Sequence, residues 1–151
     1  MEANNFDEGD VKKVIGDENP MKIGNTERKN EAAGYENSGI IWANSGNFTG
    51  AIDYHEKALK IFKDIKDNVG ESKCYRNLGN AYAGLGNFKK AIDYHKKSLQ
   101  IALKIGDKVG ESACYTNLWN IYYRLDNDKK AKKYFEKLPT INEKQGIMAL
   151  P

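Results

Sequence analysis

The sequence is poor in the residues that most enzymes and membrane proteins use. It has two histidines, two cysteines and three prolines among 151 residues. No run of 18 apolar residues occurs, so no transmembrane helix is expected. The opening Met1-Glu2-Ala3-Asn4-Asn5 is polar and lacks the apolar stretch of a secretory signal. A soluble, cytoplasmic protein is the expectation. The chain has no Gly-x-Ser-x-Gly, no glycine-rich loop ahead of Lys-Ser/Thr and no His-Glu-x-x-His. With Cys-x-x-Cys also absent, no enzymatic activity, cofactor or metal is expected. Charge of one sign is lacking too: 24 basic residues stand against 21 acidic ones, for a net +3. The signs are interspersed, which suits solvated helix faces better than a nucleic-acid interface. Lys129, Lys130, Lys132 and Lys133 form the one local basic excess, read as a solvated face rather than a phosphate patch.

What the sequence does have is a repeat. Residues 46–85 and 86–125 align without gaps at a spacing of 40, and 24 of the 40 positions are identical. Gly46-Asn47-Phe48 returns as Gly86-Asn87-Phe88, and Ala51-Ile52-Asp53-Tyr54-His55 returns as Ala91-Ile92-Asp93-Tyr94-His95. Chance gives only a few identities, so the unit is duplicated. Upstream, Tyr35, Asn37, Gly39 and Trp42 precede Tyr75, Asn77, Gly79 and Tyr82 by 40; downstream, Lys130-Ala131 and Tyr134-Phe135 fall 40 after Lys90-Ala91 and Tyr94-His95. The chain therefore holds about two and a half to three copies, the outer ones altered.

Each copy reads as two helices. Ala91, Ile92, His95, Ser98, Leu99, Ala102 and Ile105 recur at steps of three and four, one face of a helix. Ala51, Ile52, His55, Ala58, Leu59, Phe62 and Ile65 repeat that stripe. The other helix carries Cys74, Tyr75, Leu78, Ala81, Tyr82 and Leu85. Glycine-bearing turns at Leu85-Gly86-Asn87 and from Ile105 to Ser112 separate them. Short turns make neighbours antiparallel. A single hairpin cannot bury its apolar face, whereas stacked copies can. The expected fold is an all-α solenoid.

The run Tyr75-x-Asn77-Leu78-Gly79-Asn80-Ala81-Tyr82-x-x-Leu85-Gly86-Asn87-Phe88-x-Lys90-Ala91-Ile92 resembles the tetratricopeptide repeat signature. The usual unit is 34 residues. The 40-residue unit here is similar to the repeats of the Leu-Gly-Asn repeat protein and Pins, and of multi-repeat proteins built from near-identical units. The resemblance covers residues 30 to 138. It implies a right-handed superhelix whose first helices line a concave groove holding a partner peptide. By position the lining residues are Glu36, Ile40, Ala43 and Asn44; then Arg76, Asn80, Ala83 and Gly84; then Thr116, Asn120, Tyr123 and Arg124. One subfamily clamps a C-terminal carboxylate. Asn80 and Asn120 fit its asparagine positions, while Glu36, Ile40 and Thr116 do not fit the others. The resemblance thus implies a longer peptide, read by amides, Arg76, Arg124 and Tyr123.

Several of these residues have two readings. Asn80 and Asn120 either pair with a peptide backbone or bond neighbouring helices. Arg76 and Arg124 either meet acidic ligand groups or are plain exposed arginines. For Asn37, Asn77 and Asn117 a bond between adjacent repeats is expected. His55 and His95 have no cysteine or carboxylate at ligand spacing, so a packed ring with a local hydrogen-bond partner is expected rather than a metal site. Cys74 and Cys114 occupy equivalent places too far apart for a disulfide and read as buried free thiols. The Asn47-Phe48-Thr49 sequon lies in a repeat turn and reads as accidental.

The expected organisation is a degenerate, partly disordered segment over 1–28 and a solenoid over 29–138, with repeats about 29–66, 69–106 and 109–138. An irregular tail follows at 139–151. Pro20 is expected to interrupt any helix near it. Trp119, standing where Gly39 and Gly79 stand, either forces its helices apart or covers the end of the stack. Asp126 and Asp128 replace the turn glycine and the aromatic, so the last helix, about 127–138, is expected to pack less well and to end at Pro139. The expected function is a scaffold binding a protein or peptide ligand, with no nucleic acid and no membrane insertion. The alternative is a structural module that self-associates through open solenoid ends, or a fragment of a longer array.

Overall fold

The structure, a computed structural model, describes residues 20–139. Among these there are six α-helices and no strands: α1 Pro20–Asn44, α2 Phe48–Asp64, α3 Asn68–Gly84, α4 Phe88–Ile105, α5 Lys108–Arg124 and α6 Asp128–Phe135. The helices from α2 onward start every 20 residues, because the same capping chemistry recurs there. Asn47, Asp67, Asn87, Asp107 and Asn127 are the N-caps, and each side chain accepts the backbone N–H three residues on. This satisfies a donor that a helix start leaves open. For Asn47, that cap is the structural use of the sequon asparagine.

The residue before each N-cap is left-handed: Gly46, Lys66, Gly86, Gly106 and Asp126 have φ of 82°, 58°, 77°, 71° and 54°. The N-cap N–H then bonds the carbonyl five residues back, as Asn87 does to Tyr82 at 2.9 Å. This closes the preceding helix as in a Schellman motif. Glycine takes that conformation freely; Lys66 and Asp126 take it against the steric preference of an L-residue. So the turn expected to weaken at Asp126 keeps its geometry.

The N-terminal boundary needs correction. Residues 20–28, expected to be partly ordered at best, are helical, and Pro20 begins α1 instead of breaking it. Proline has no N–H to donate and its φ suits a first helical position. The extension is tied down by Arg28–Asp64 at 2.9 Å and Lys29–Asp67 at 3.2 Å. Burial raises the Asp67 carboxyl, but the Gly70 N–H and Lys29 outweigh it and hold the group below its ordinary value. Residues 1–19 and the tail from 140 lie outside the described residues. The last helix ends at Phe135, short of Pro139.

Consecutive helices pack side by side, and α3 also touches α1 and α5, so the pairs stack. Within the first two pairs the close contact is a glycine against a histidine ring. A Cβ on Gly39 would lie 2.5 Å from the His55 ring, and one on Gly79 would lie 2.6 Å from His95. Both rings are 1% exposed. The expected local partner is not there: Nδ1 of each has no hydrogen bond. Burial lowers His55 to about 4, and burial plus the Arg76 charge lowers His95 to about 4.

Between pairs the seam is small and apolar. In the first copy Ala32, Ala58 and Cys74 are fully buried together. In the next, Ser72, Ser98 and Cys114 take their places. The Ser98 hydroxyl donates to the Ser72 carbonyl at 2.9 Å, Ser72 donates to the Ser98 carbonyl at 3.2 Å, and the Cys114 thiol donates to Ser98 Oγ at 3.3 Å. Two alanines have become two serines that satisfy each other, as burial demands. Both cysteines are free and buried, and burial pushes the Cys74 thiol up to about 12. Tyr35–Tyr54, Tyr75–Tyr94 and Tyr115–Tyr134 repeat one ring contact at 6.2, 6.0 and 6.3 Å. Lys57 and Lys97 lie over the first two pairs, a cation–π arrangement. Asn37, Asn77 and Asn117 make no side-chain hydrogen bond among the described residues, contrary to the inter-repeat bond expected of them.

Three outcomes follow from this packing. The histidine rings stay neutral when folded but bind protons below pH 6.5 once unfolded. Their contribution is whole above pH 6.5 and is lost as pH falls toward 4, about 3 kcal/mol per ring. Urea unfolding across that range should show the decline, and His55→Gln with His95→Gln should flatten it; an unchanged slope would assign the decline to carboxylates. Ser98→Ala alone should cost about 1 kcal/mol, while Ser72→Ala/Ser98→Ala, which restores the first copy's alanine pair, should cost less than the two singles summed. Additive costs in the cycle would dissolve the pair. Lys66→Gly and Asp126→Gly should each raise the unfolding midpoint, by roughly 0.5 kcal/mol; a drop would mean the side chains outweigh the strain.

Candidate functional site

The faces of α1, α3 and α5 that the resemblance assigns to a groove can now be placed. On α1, Glu36 is half-buried and Ile40 is 40% exposed. On α3, Arg76 is half-buried and Asn80 exposed; on α5, Thr116, Asn120, Tyr123 and Arg124 are exposed. Because α3 touches both α1 and α5, the residues on these helices belong to neighbouring rows. The Arg76 charge on α3 is felt by His95 on α4 and Cys114 on α5. Glu36 acts likewise on Cys74.

These side chains differ in what they have free. Thr116 donates its hydroxyl to the Ser112 carbonyl at 2.9 Å, the helix's own backbone, which leaves it little to offer as a donor. Arg124 lies with its guanidinium carbon 4.9 Å from the Phe88 ring. The reason is visible one copy earlier, where Gly84 leaves room for Phe48: a Cβ there would stand 2.5 Å from that ring. Arg124 replaces the glycine and covers the equivalent phenylalanine. Asn80 and Asn120 make no side-chain hydrogen bond among the described residues, so neither ties neighbouring helices together. Arg76 has no carboxylate within ion-pair distance there either. The Arg76 stem is partly covered while its charge has no fixed counter-ion there, so the guanidinium is available to an anion.

A feature that the sequence reading named residue by residue, at Trp119, Asn120, Tyr123 and Asp128, but did not assemble lies at the end of the stack. Trp119 packs on Phe135 at 5.7 Å and on Tyr123 at 6.3 Å. With Asn120, Asp128, Ala131 and Lys132 these rings line an open cleft of about 590 Å³ between α5 and α6. Phe135 stands 40 residues after His95, so the glycine–histidine contact of the first two pairs has become a tryptophan–phenylalanine contact in the third. His55 and His95 are 1% exposed, whereas Phe135 is 42% exposed. The paired change at positions 40 apart was the available signal. Nearby, Lys130 and Lys133 lie over Tyr122 and Tyr134, and Lys132 is 3.9 Å from Glu136, so the basic run is spread along an exposed helix.

No group of three metal-ligating side chains occurs among the described residues, and no helix there is long and apolar enough to cross a membrane. Against known proteins, the family model for the tetratricopeptide repeat matches residues 30–104 and 75–143. The crystal structure of the TPR domain of Arabidopsis FLU is similar with a TM-score of 0.69 and 25% identity, over 72% of this chain and 92% of that one. A search of curated proteins finds no match. The two overlapping matches span most of the sequence and coincide with the stacked helix pairs, so the chain belongs to the tetratricopeptide-repeat family.

Proposed function

We propose that this chain is a non-enzymatic scaffold that binds an extended segment of another protein along the faces of α1, α3 and α5. Tetratricopeptide repeats generally mediate protein–protein interaction. The observation that carries the reading here is Arg76, half-buried, without a carboxylate partner among the described residues and one helical turn from the exposed Asn80. An acidic group on the partner supplies the missing charge; Asn80 and Asn120 offer a donor and an acceptor each to its backbone. Ile40 and Tyr123 add apolar surface, and Glu36 sets a negative end. Thr116 and Arg124 play smaller parts, since each already has a partner within the chain. The 40-residue unit supports placing the repeats with the longer variant of the Leu-Gly-Asn repeat protein and Pins, and a cytoplasmic scaffold or adaptor fits the absence of a long apolar helix among the described residues.

Self-assembly through the ends has exposed apolar surface in its favour, the aromatic cleft at one end and Ile41 at the other. Ile41 is 68% exposed, while its counterparts Ala81 and Ile121 are 1% and 4% exposed. Against it, the other end has turned polar: Asp128 and Lys132 stand where Phe88 and Ile92 stand one copy earlier. A polar outer face is what a terminal repeat needs to stay apart from its neighbours.

The test is affinity capture from a native lysate with wild type and Arg76→Ala/Asn80→Ala. A charge-assisted contact contributes about 1.5–3 kcal/mol, so the variant should hold its partner at least tenfold more weakly while keeping its helical circular dichroism. Equal capture, or loss of helicity along with capture, would remove these residues from the site. Light scattering over a dilution series should give a monomer throughout; a mass that grows with concentration would favour assembly.

A further inference from the structure

We propose that the third helix pair holds an anchor pocket: the cleft between α5 and α6 takes one bulky apolar side chain of the bound segment, whose carboxylate lies against Arg76. This rests on the groove reading above and adds the partner's sequence character to it. In the first two pairs Gly39 and Gly79 instead let the histidine rings close onto the helix backbone. Trp119 and Phe135 occupy those two places in the third pair and form a floor of contacting rings, extended by Tyr123. The cleft, about 590 Å³, falls in the range of small-ligand pockets, and its apolar floor with a few polar groups at the rim is their usual composition.

The occupant follows from what surrounds the floor. A further helix stacked here, from a second copy or elsewhere, would have to bury Asp128 and Lys132, which stand where the earlier copies seat the next helix with Phe88 and Ile92. A single side chain entering from the groove avoids that cost, because both charges stay at the solvated rim. Aromatic floors reward bulky apolar or aromatic groups, and such anchors dominate the energetics of peptide recognition. Asn120 and Tyr123 belong to both the cleft and the groove face of α5, which makes the two surfaces continuous. The acidic requirement comes from Arg76 on the adjoining α3; Asp128 and Lys132 at the rim are of opposite sign and impose none.

The probe is a phage-displayed library of dodecapeptides selected on the wild-type chain, with single clones resynthesised. Three variants read the result. Trp119→Gly/Phe135→His rebuilds the pair that the first two copies use, so it closes the cleft within a packing this fold already contains. Arg76→Ala removes the charge. Trp42→Tyr, matching Tyr82 and Tyr122, leaves Trp119 as the sole tryptophan and reports contact by its emission with the cleft unaltered, even if the double variant fails to fold. The expected result is enrichment of peptides carrying a Trp, Phe, Leu or Met together with an Asp or Glu. They should shift Trp119 emission and lose tenfold or more in affinity on both the double variant and Arg76→Ala. Peptides that leave Trp119 emission unmoved, or bind the double variant as well as wild type, yet lose affinity on Arg76→Ala, overturn the anchor and leave the groove reading standing. Peptides indifferent to Arg76→Ala, or no selected peptide at all, overturn both.

Discussion

The architecture depends on how closely two helices of a pair can approach. At Gly39 and Gly79 the backbone comes so near a histidine ring that a single added carbon would fall inside the van der Waals contact. That approach seals the rings from water, and the sealed pairs present flat, small-residue faces to one another. Ala32, Ala58 and Cys74 fill one seam and Ser72, Ser98 and Cys114 the next. The stack repeats because each pair leaves one face apolar that only another pair covers. The faces of α1, α3 and α5 proposed for recognition are what remains after those seams are filled.

The same constraint accounts for the difference of the third pair. Once the glycine is a tryptophan, the histidine's place cannot be sealed, and Phe135 there is largely uncovered. Changes at Asp128 and Lys132 go with it, removing the apolar groups that would seat another helix. Arg124 belongs to the same pattern: where Gly84 admits Phe48, the arginine lies over Phe88 instead. Trp119 is matched by Phe135 and Ser72 by Ser98, whereas Arg124 covers a phenylalanine that has not changed. Packing couples these positions, so a change at one alters what its neighbour can be.

Much of the fold was legible in the sequence because its causes are local. The stripe from Ala91 to Ile105 and the glycine turn at Leu85-Gly86-Asn87 act within one helix or one turn, and a spacing of 40 displays them repeatedly. The N-terminal boundary was not legible. Residues 20–28 lack an apolar stripe, and their helix is continued from α1 and held by Arg28–Asp64 and Lys29–Asp67, contacts across more than 35 positions. The unpartnered Nδ1 of His55 and His95 was likewise out of reach, since a pattern shows that a ring is buried but not what it faces.

For the candidate site, the division is sharper. The sequence by itself determined that paired helices recur, which faces they bury and which rows of residues remain: Glu36 with Arg76 and Thr116, Ile40 with Asn80 and Asn120. Those are consequences of helical period and repeat length, and both are written along the chain. Only the tertiary structure decided what each member of those rows has left to offer. Thr116 gives its hydroxyl to Ser112, Arg124 gives its guanidinium to Phe88, and Arg76 meets no carboxylate among the described residues. Only the tertiary structure brought Trp119 and Phe135 together as the floor of a cleft. The reason is physical: a period fixes direction around a helix, whereas a free charge or an open cleft depends on atoms supplied by other helices.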